Sequence, residues 1–131
     1  MDVRFRDLDP LGHVNNAVFL SYMELARIRY FQRISPDWLE EGHFVVARME
    51  VDYLRPILLG DEVFVGVRTV GIGRSSLRME HLVTANGESA AKGLGVLVWL
   101  EGGRPAPLPE AIRERIRALE AEMKSLTGPE T

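Results

Sequence analysis

The chain has 131 residues, of which 46% are apolar and 27% charged, with a formal net charge of −3 and no cysteine. This profile predicts one soluble globular domain, residues 1–131, large enough for a real hydrophobic core. It excludes disulfide staples, thiolate nucleophiles and cysteine metal sites, and offers no basic field to hold nucleic acid or an anionic membrane.

Val3 to Arg6 reads as a short extended lead-in with no charged-then-apolar leader pattern, and no run of about 18 apolar residues follows, so a cytoplasmic location is expected. Pro10 and Gly12 break the backbone and make "DLDPLGHVN" an irregular loop. The run from Asn16 to Gln32 has helical length and contains neither Gly nor Pro. Its apolar residues occupy nearly every helical face, which predicts a helix enclosed by the rest of the fold. Asn15 is placed to cap it, and Ser35-Pro36 ends it. The first turn of such a helix carries N–H groups without intrahelical acceptors. Here they face Asp7, Asp9 and His13, an arrangement suited to binding and polarising an oxygen.

From Phe44 the period changes to two. In "FVVARMEVDYL", Ala47, Met49, Val51 and Tyr53 alternate with Arg48, Glu50 and Asp52, predicting a strand with one buried face. "EVFVGVRTV", "SLRMEHLVTA" and "ESAAKGLGVLVWL" are three further strands. Asn86-Gly87 marks a hairpin, because both residues tolerate positive φ. Strands of about 11 residues reach roughly 36 Å, enough for a curved antiparallel sheet to wrap a helix about 25 Å long. After the loop "GGRPAPLP", residues 109–124 form a second helix with one apolar stripe (Ile112, Ile116, Leu119, Met123), an ordinary surface-docked helix.

One buried helix followed by a long antiparallel sheet describes an α+β hotdog fold. The stretch Asp7, Leu8, Asp9, Pro10, Leu11, Gly12, His13, Val14, Asn15, Asn16 resembles the motif that leads into the central helix of the 4-hydroxybenzoyl-CoA thioesterase-like family. That family's later pattern of an aromatic, a proline and Gly-Asp is matched by Tyr53, Pro56, Gly60 and Asp61. The resemblance runs from Val3 to about Leu108. It implies a hydrolase that cleaves acyl thioesters of coenzyme A, with no cofactor beyond the coenzyme carried by the substrate. It also implies a homodimer with shared active sites that can pair again into a homotetramer.

By the same resemblance the catalytic carboxylate is Asp9, as nucleophile or as general base, and the oxyanion-binding N–H is that of Asn16. Plant acyl-carrier-protein thioesterases with a similar signature use an asparagine two residues before the histidine. Leu11 stands there in this chain, which favours an aspartate-centred site. His13 either orients the thioester or tunes Asp9 electrostatically, or else it bonds a backbone carbonyl and fixes the loop. Asp7 reads as a turn or salt-bridge residue, and Glu24 as a second carboxylate or a partner of Arg27 one turn along. In "GIGRSSL", Arg74, Ser75 and Ser76 correspond to the segment that meets the phosphates of coenzyme A, with Lys92 or Arg55 as auxiliary cations. Val46, with Val45 and Ala47, is expected to shape the acyl pocket. The histidines His13, His43 and His81 are scattered and form no metal-ligand pattern, and no Walker-type phosphate loop occurs. The competing reading is a non-catalytic module that binds acyl-CoA and leaves it intact. A hotdog dehydratase would carry a His-Phe-Pro-Gly-like motif, and none is present.

Overall fold

The computed structural model of the protein describes residues 1–34 and 42–127, with side chains as far as Lys124. A 3-10 turn at Phe5–Asp7 stands where an extended lead-in was expected. It forms because the Asp7 carboxylate folds back to accept the Arg4 backbone N–H at 2.9 Å and the Arg4 guanidinium at 3.0 Å. Helix α1 spans Asn16–Ile34, and the predicted stop at Ser35-Pro36 lies outside the described residues. Strands β1 (His43–Tyr53), β2 (Val63–Ile72), β3 (Ser76–Ala85) and β4 (Glu88–Glu101) follow, then a two-residue β5 (Arg104–Pro105) and helix α2 (Glu110–Thr127).

The strands pair antiparallel in the order β1-β4-β3-β2, and β5 pairs antiparallel with the end of β4. Asn86 and Gly87, at φ 53° and 81°, turn β3 into β4 as the Asn-Gly signal predicts. Leu77, Met79, His81 and Val83 of β3 line the buried face with Ala91, Gly93, Leu97 and Trp99 of β4. Helix α1 lies against this face. A Cβ on Gly93 would sit 2.9 Å from Met23 Sδ, so glycine is what allows the helix this close to the sheet. One long helix on a curved antiparallel sheet, with a C-terminal helix beside it, is the expected hotdog arrangement.

The core has two halves. One gathers Tyr30, Phe31 and Ile34 of α1, Leu77 and Trp99 of the sheet, and the α2 stripe Ile112, Ile116 and Leu119. The other joins Phe19, Tyr22 and Met23 of α1 to Ile57, Val63, Val83 and Ala91. Arg27 and His81 lie between them, buried, with the guanidinium donating to His81 Nε2 at 3.1 Å. A second polar knot ties both helices to β2. The Tyr30 hydroxyl donates to Glu120 at 2.6 Å, and the Thr69 N–H donates to the same carboxylate oxygen at 2.9 Å.

Three further expectations need correction. Helix α1 is covered on one face only, and Leu20, Leu25 and Ile28 on the other are 41–47% exposed, because one chain's sheet supplies a single wall. Arg27 turns to that sheet and hydrogen-bonds His81, while Glu24 is exposed and acts on Arg27 through its charge alone, so the expected pair along the helix is electrostatic and not a direct contact. In β1 the register shifts between Val46 and Arg48. Met49 and Val51 are half-buried as predicted, but Ala47 falls at the shift and is exposed. A bulge changes which residues face inward, and the alternation in the sequence does not reveal it.

Candidate active site

The loop before α1 is built by its own sequence. Asp9-Pro10-Leu11-Gly12 is a tight turn, closed by the Gly12 N–H on the Asp9 carbonyl at 3.0 Å. The fixed φ of Pro10 suits its second position, and Gly12 takes φ 83°. The Asp9 N–H donates to the His13 carbonyl at 2.7 Å, and Leu8 bridges Val14, so the turn closes a small antiparallel excursion. His13 bridges Leu58 and the Val14 N–H donates to the Ile57 carbonyl at 2.8 Å, which fastens the loop to the segment after β1.

Within this frame Asp9 is held by one oxygen. Its Oδ1 accepts the N–H of Leu11 at 2.9 Å and of His13 at 3.1 Å. Its Oδ2 has no hydrogen-bond partner among the described residues. Asp7, in contrast, is consumed by structure. Burial pushes its carboxyl up, but the hydrogen bonds and charge of Arg4 outweigh burial and hold it below the usual carboxylate range. Its carbonyl also accepts the Asn15 N–H at 2.8 Å, locking the entry to the helix. Next to it, burial first and the Asp7 charge second push the Tyr22 phenol up to about 12, keeping it a donor to Asp7.

Asn15 caps α1 as expected, its Oδ1 accepting the Ala17 N–H at 2.9 Å while its carbonyl takes the Val18 N–H at 2.9 Å. That leaves the Asn16 N–H, at the first helical position, with no acceptor among the described residues. A cavity of about 300 Å³ opens here, lined by Asp9, His13, Asn16, Phe19, Tyr53 and Arg55 together with Val14, Leu54 and Pro56. A carboxylate with a spare oxygen thus shares one cavity with a helix start whose N–H is unengaged.

Tyr53 completes the wall. Its hydroxyl donates to the Asn16 carbonyl at 3.1 Å, and its ring meets Phe19 edge-on at 5.2 Å. Arg55 brings a cation to the rim, ion-paired with Glu88. Phe19 carried no functional signal in the sequence, since a helical aromatic reads as core; only the loop closing over it makes it a wall.

Other expected residues lie elsewhere. Arg74, Ser75 and Ser76 occupy the β2–β3 turn, at the end of the sheet opposite the cavity. Tyr53 pairs with Ala91 on β4 and Ser76 with Val98, seven residues further along, which is about 23 Å. Val46 is exposed on β1 opposite Leu97, and neither it nor Val45 nor Ala47 lines the cavity. Lys92 is exposed on β4 between Leu82 and Asp52 and does not line the cavity. Among the described residues no three His, Asp or Glu side chains come together as a metal site, and no helix is long and apolar enough to cross a membrane.

The fold is that of the hotdog thioesterases. Residues 3–116 match the model of the thioesterase-like superfamily, and the chain belongs to that superfamily. It is 98% identical to a thioesterase from Thermus thermophilus crystallised with coenzyme A and Zn, with a TM-score of 0.89 over 92% of this chain and 91% of that one. A predicted thioesterase from Bacillus stearothermophilus is similar at 33% identity and a TM-score of 0.84, covering 90% and 91% of the two chains. A chloroplastic acyl-acyl carrier protein thioesterase of Arabidopsis thaliana is 27% identical over 88% of this chain, which spans 64% of that protein's length.

Proposed function

We propose that the protein hydrolyses an acyl thioester of coenzyme A, with Asp9 acting on the carbonyl carbon and the Asn16 N–H receiving the carbonyl oxygen. The observation that carries this reading is the shared cavity: Asp9, held through Oδ1 with Oδ2 free, and the start of α1 border the same 300 Å³ space. The complex of the 98% identical thioesterase with coenzyme A supports that coenzyme as the carrier.

Attack places negative charge on the thioester oxygen, where a fixed N–H and the positive end of the helix dipole stabilise it without reorganisation. As a nucleophile, Asp9 bonds its oxygen to the acyl carbon and the C–S bond breaks. The coenzyme leaves as thiolate, and water then cleaves the anhydride. As a general base, Asp9 takes a proton from water, the hydroxide adds to the carbon, and collapse of the tetrahedral adduct expels the thiolate. In a single turnover in ¹⁸O-water, label in the Asp9 side chain identifies the nucleophilic route with water attacking the aspartyl carbonyl of the anhydride.

Asp9→Asn keeps an oxygen to accept the Leu11 and His13 N–H groups but removes the charge. Turnover should fall about 100-fold or more with the melting temperature nearly unchanged. An Asp9→Asn enzyme retaining most of the wild-type rate across an acyl-CoA panel would sink the assignment. Acyl-CoA recovered intact after long incubation with wild type would favour the binding module instead.

The proposal extends to two contact regions. Arg74 with Ser75 and Ser76 is assigned to the phosphates of coenzyme A, and the chain is assigned to a homodimer. The two assignments are linked: in one chain about 23 Å of β4 separates the β2–β3 turn from the cavity, and in a homodimer the partner's turn would approach the cavity instead.

A further inference from the structure

We infer that Arg113 of α2 is a positioning residue for coenzyme A, setting the geometry of the β2–β3 turn without touching the ligand. Its guanidinium donates to the Gly73 and Arg74 carbonyls, both at 2.8 Å, and to the Leu108 carbonyl at 3.2 Å. The remaining carbonyls of the turn are also drawn inward. Ser75 O accepts from the Trp99 N–H at 2.8 Å, Ser76 O from the Gly73 N–H at 2.8 Å, and Arg74 O from the Leu108 N–H as well.

The consequence is a polarised turn. Every carbonyl from Gly73 to Ser76 points to a donor within the fold, whereas the N–H groups of Arg74 and Ser75 have no acceptor among the described residues. What the turn leaves for a ligand therefore includes no free backbone carbonyl, while two amides, two serine hydroxyls and the exposed Arg74 guanidinium can all donate. That is the chemistry a phosphate needs, and repulsion from a carbonyl oxygen would spoil it. Without Arg113, the Gly73 carbonyl would lose its donor and be free to rotate toward the ligand, and the Arg74 carbonyl would keep only the Leu108 N–H. A lysine cannot replace the planar fork that reaches three carbonyls at once.

This inference rests on the assignment of coenzyme A to the turn, so the experiment carries an arm for each. Dissociation constants for coenzyme A itself are measured by calorimetry on full-length wild type, Arg113→Ala, Arg113→Lys, Arg74→Ala and Ile116→Ala, with thermal melts alongside. Ile116 is fully buried in the same helix but touches no turn carbonyl, so Ile116→Ala reports loosened docking of α2 alone. The expected result is about tenfold weaker binding for both Arg113 variants and for Arg74→Ala, and little change for Ile116→Ala despite a lower melting temperature. Arg113→Ala binding as tightly as wild type while Arg74→Ala binds weakly overturns the positioning role and leaves the turn's assignment standing. Equal weakening by Ile116→Ala and Arg113→Ala also overturns it, because loosened docking would then account for the effect. Unchanged affinity in Arg74→Ala removes the turn from the coenzyme site and the inference with it.

Discussion

Arg27 and His81 form the polar seam between the two halves of the core, and the geometry fixes the histidine's tautomer. The guanidinium has only hydrogens to give, so Nε2 accepts; the proton sits on Nδ1, which faces the Gly93 carbonyl at 3.3 Å. Burial first, and then the Arg27 charge, push the His81 pKa down to about 4 from 6.5. In the unfolded chain the ring binds a proton near pH 6.5, whereas in the folded protein it stays neutral until about pH 4. The unfolded state therefore holds the extra proton across that window. Stability is full above pH 6.5 and falls toward pH 4, by up to about 3 kcal/mol from this residue. His81→Gln, whose amide oxygen can still accept from Arg27, should flatten the decline of melting temperature between pH 6.5 and 4. An unchanged slope would place the acid sensitivity elsewhere.

At the scale of elements, the crossing of α1 over β4 depends on Gly93, where an added methyl would meet Met23 Sδ at 2.9 Å and Cε at 3.1 Å. Met23 is fully buried, so its terminus has little space to yield, and Gly93→Ala should cost about 1–3 kcal/mol as overpacking, read as a lower urea midpoint. An unchanged midpoint would mean the helix lifts freely. The elements themselves were legible from period and punctuation. All four long strands, the Asn86-Gly87 turn, the Asn15 cap and the α2 stripe follow from local rules that no tertiary contact overrides here. What local rules missed was tertiary. Helical spacing pointed Arg27 at Glu24, yet burial against His81 decided its direction. Alternation put Ala47 inside, and a bulge moved it out. For the site, the sequence put Asp9 and His13 on one loop and Asn16 at the helix start that follows it. It could not show that only Oδ2 of Asp9 remains free, since that depends on the turn bringing the Leu11 and His13 amides onto Oδ1. Nor could it show that the β2–β3 turn lies at the far end of the sheet, because distance along the chain says nothing of distance along β4.

For the whole molecule, a single copy leaves two surfaces unfinished. Strand β1 is an edge of 11 residues with Val45 and Val46 exposed, and the outer side of α1 exposes Leu20, Leu25 and Ile28. A long open edge invites another strand, and a second β1 in antiparallel orientation satisfies it with two-fold symmetry. Such pairing sets the His43 end of one strand beside the Tyr53 end of the other. The partner's β2–β3 turn would then lie level with this chain's cavity along the strand direction, instead of about 23 Å away as within one chain. Assembly and catalysis should therefore fail together. Sedimentation at micromolar concentration should give a dimer or a multiple of one, and on serial dilution the specific activity should fall along the same curve as the dimer fraction. Val45→Lys, which places a charge on the edge of each copy, should shift both curves to higher concentration by the same factor. A monomer with undiminished activity per chain would show that one copy holds the whole substrate, and the coenzyme contacts would then have to be sought on the near side of the sheet, around Arg55.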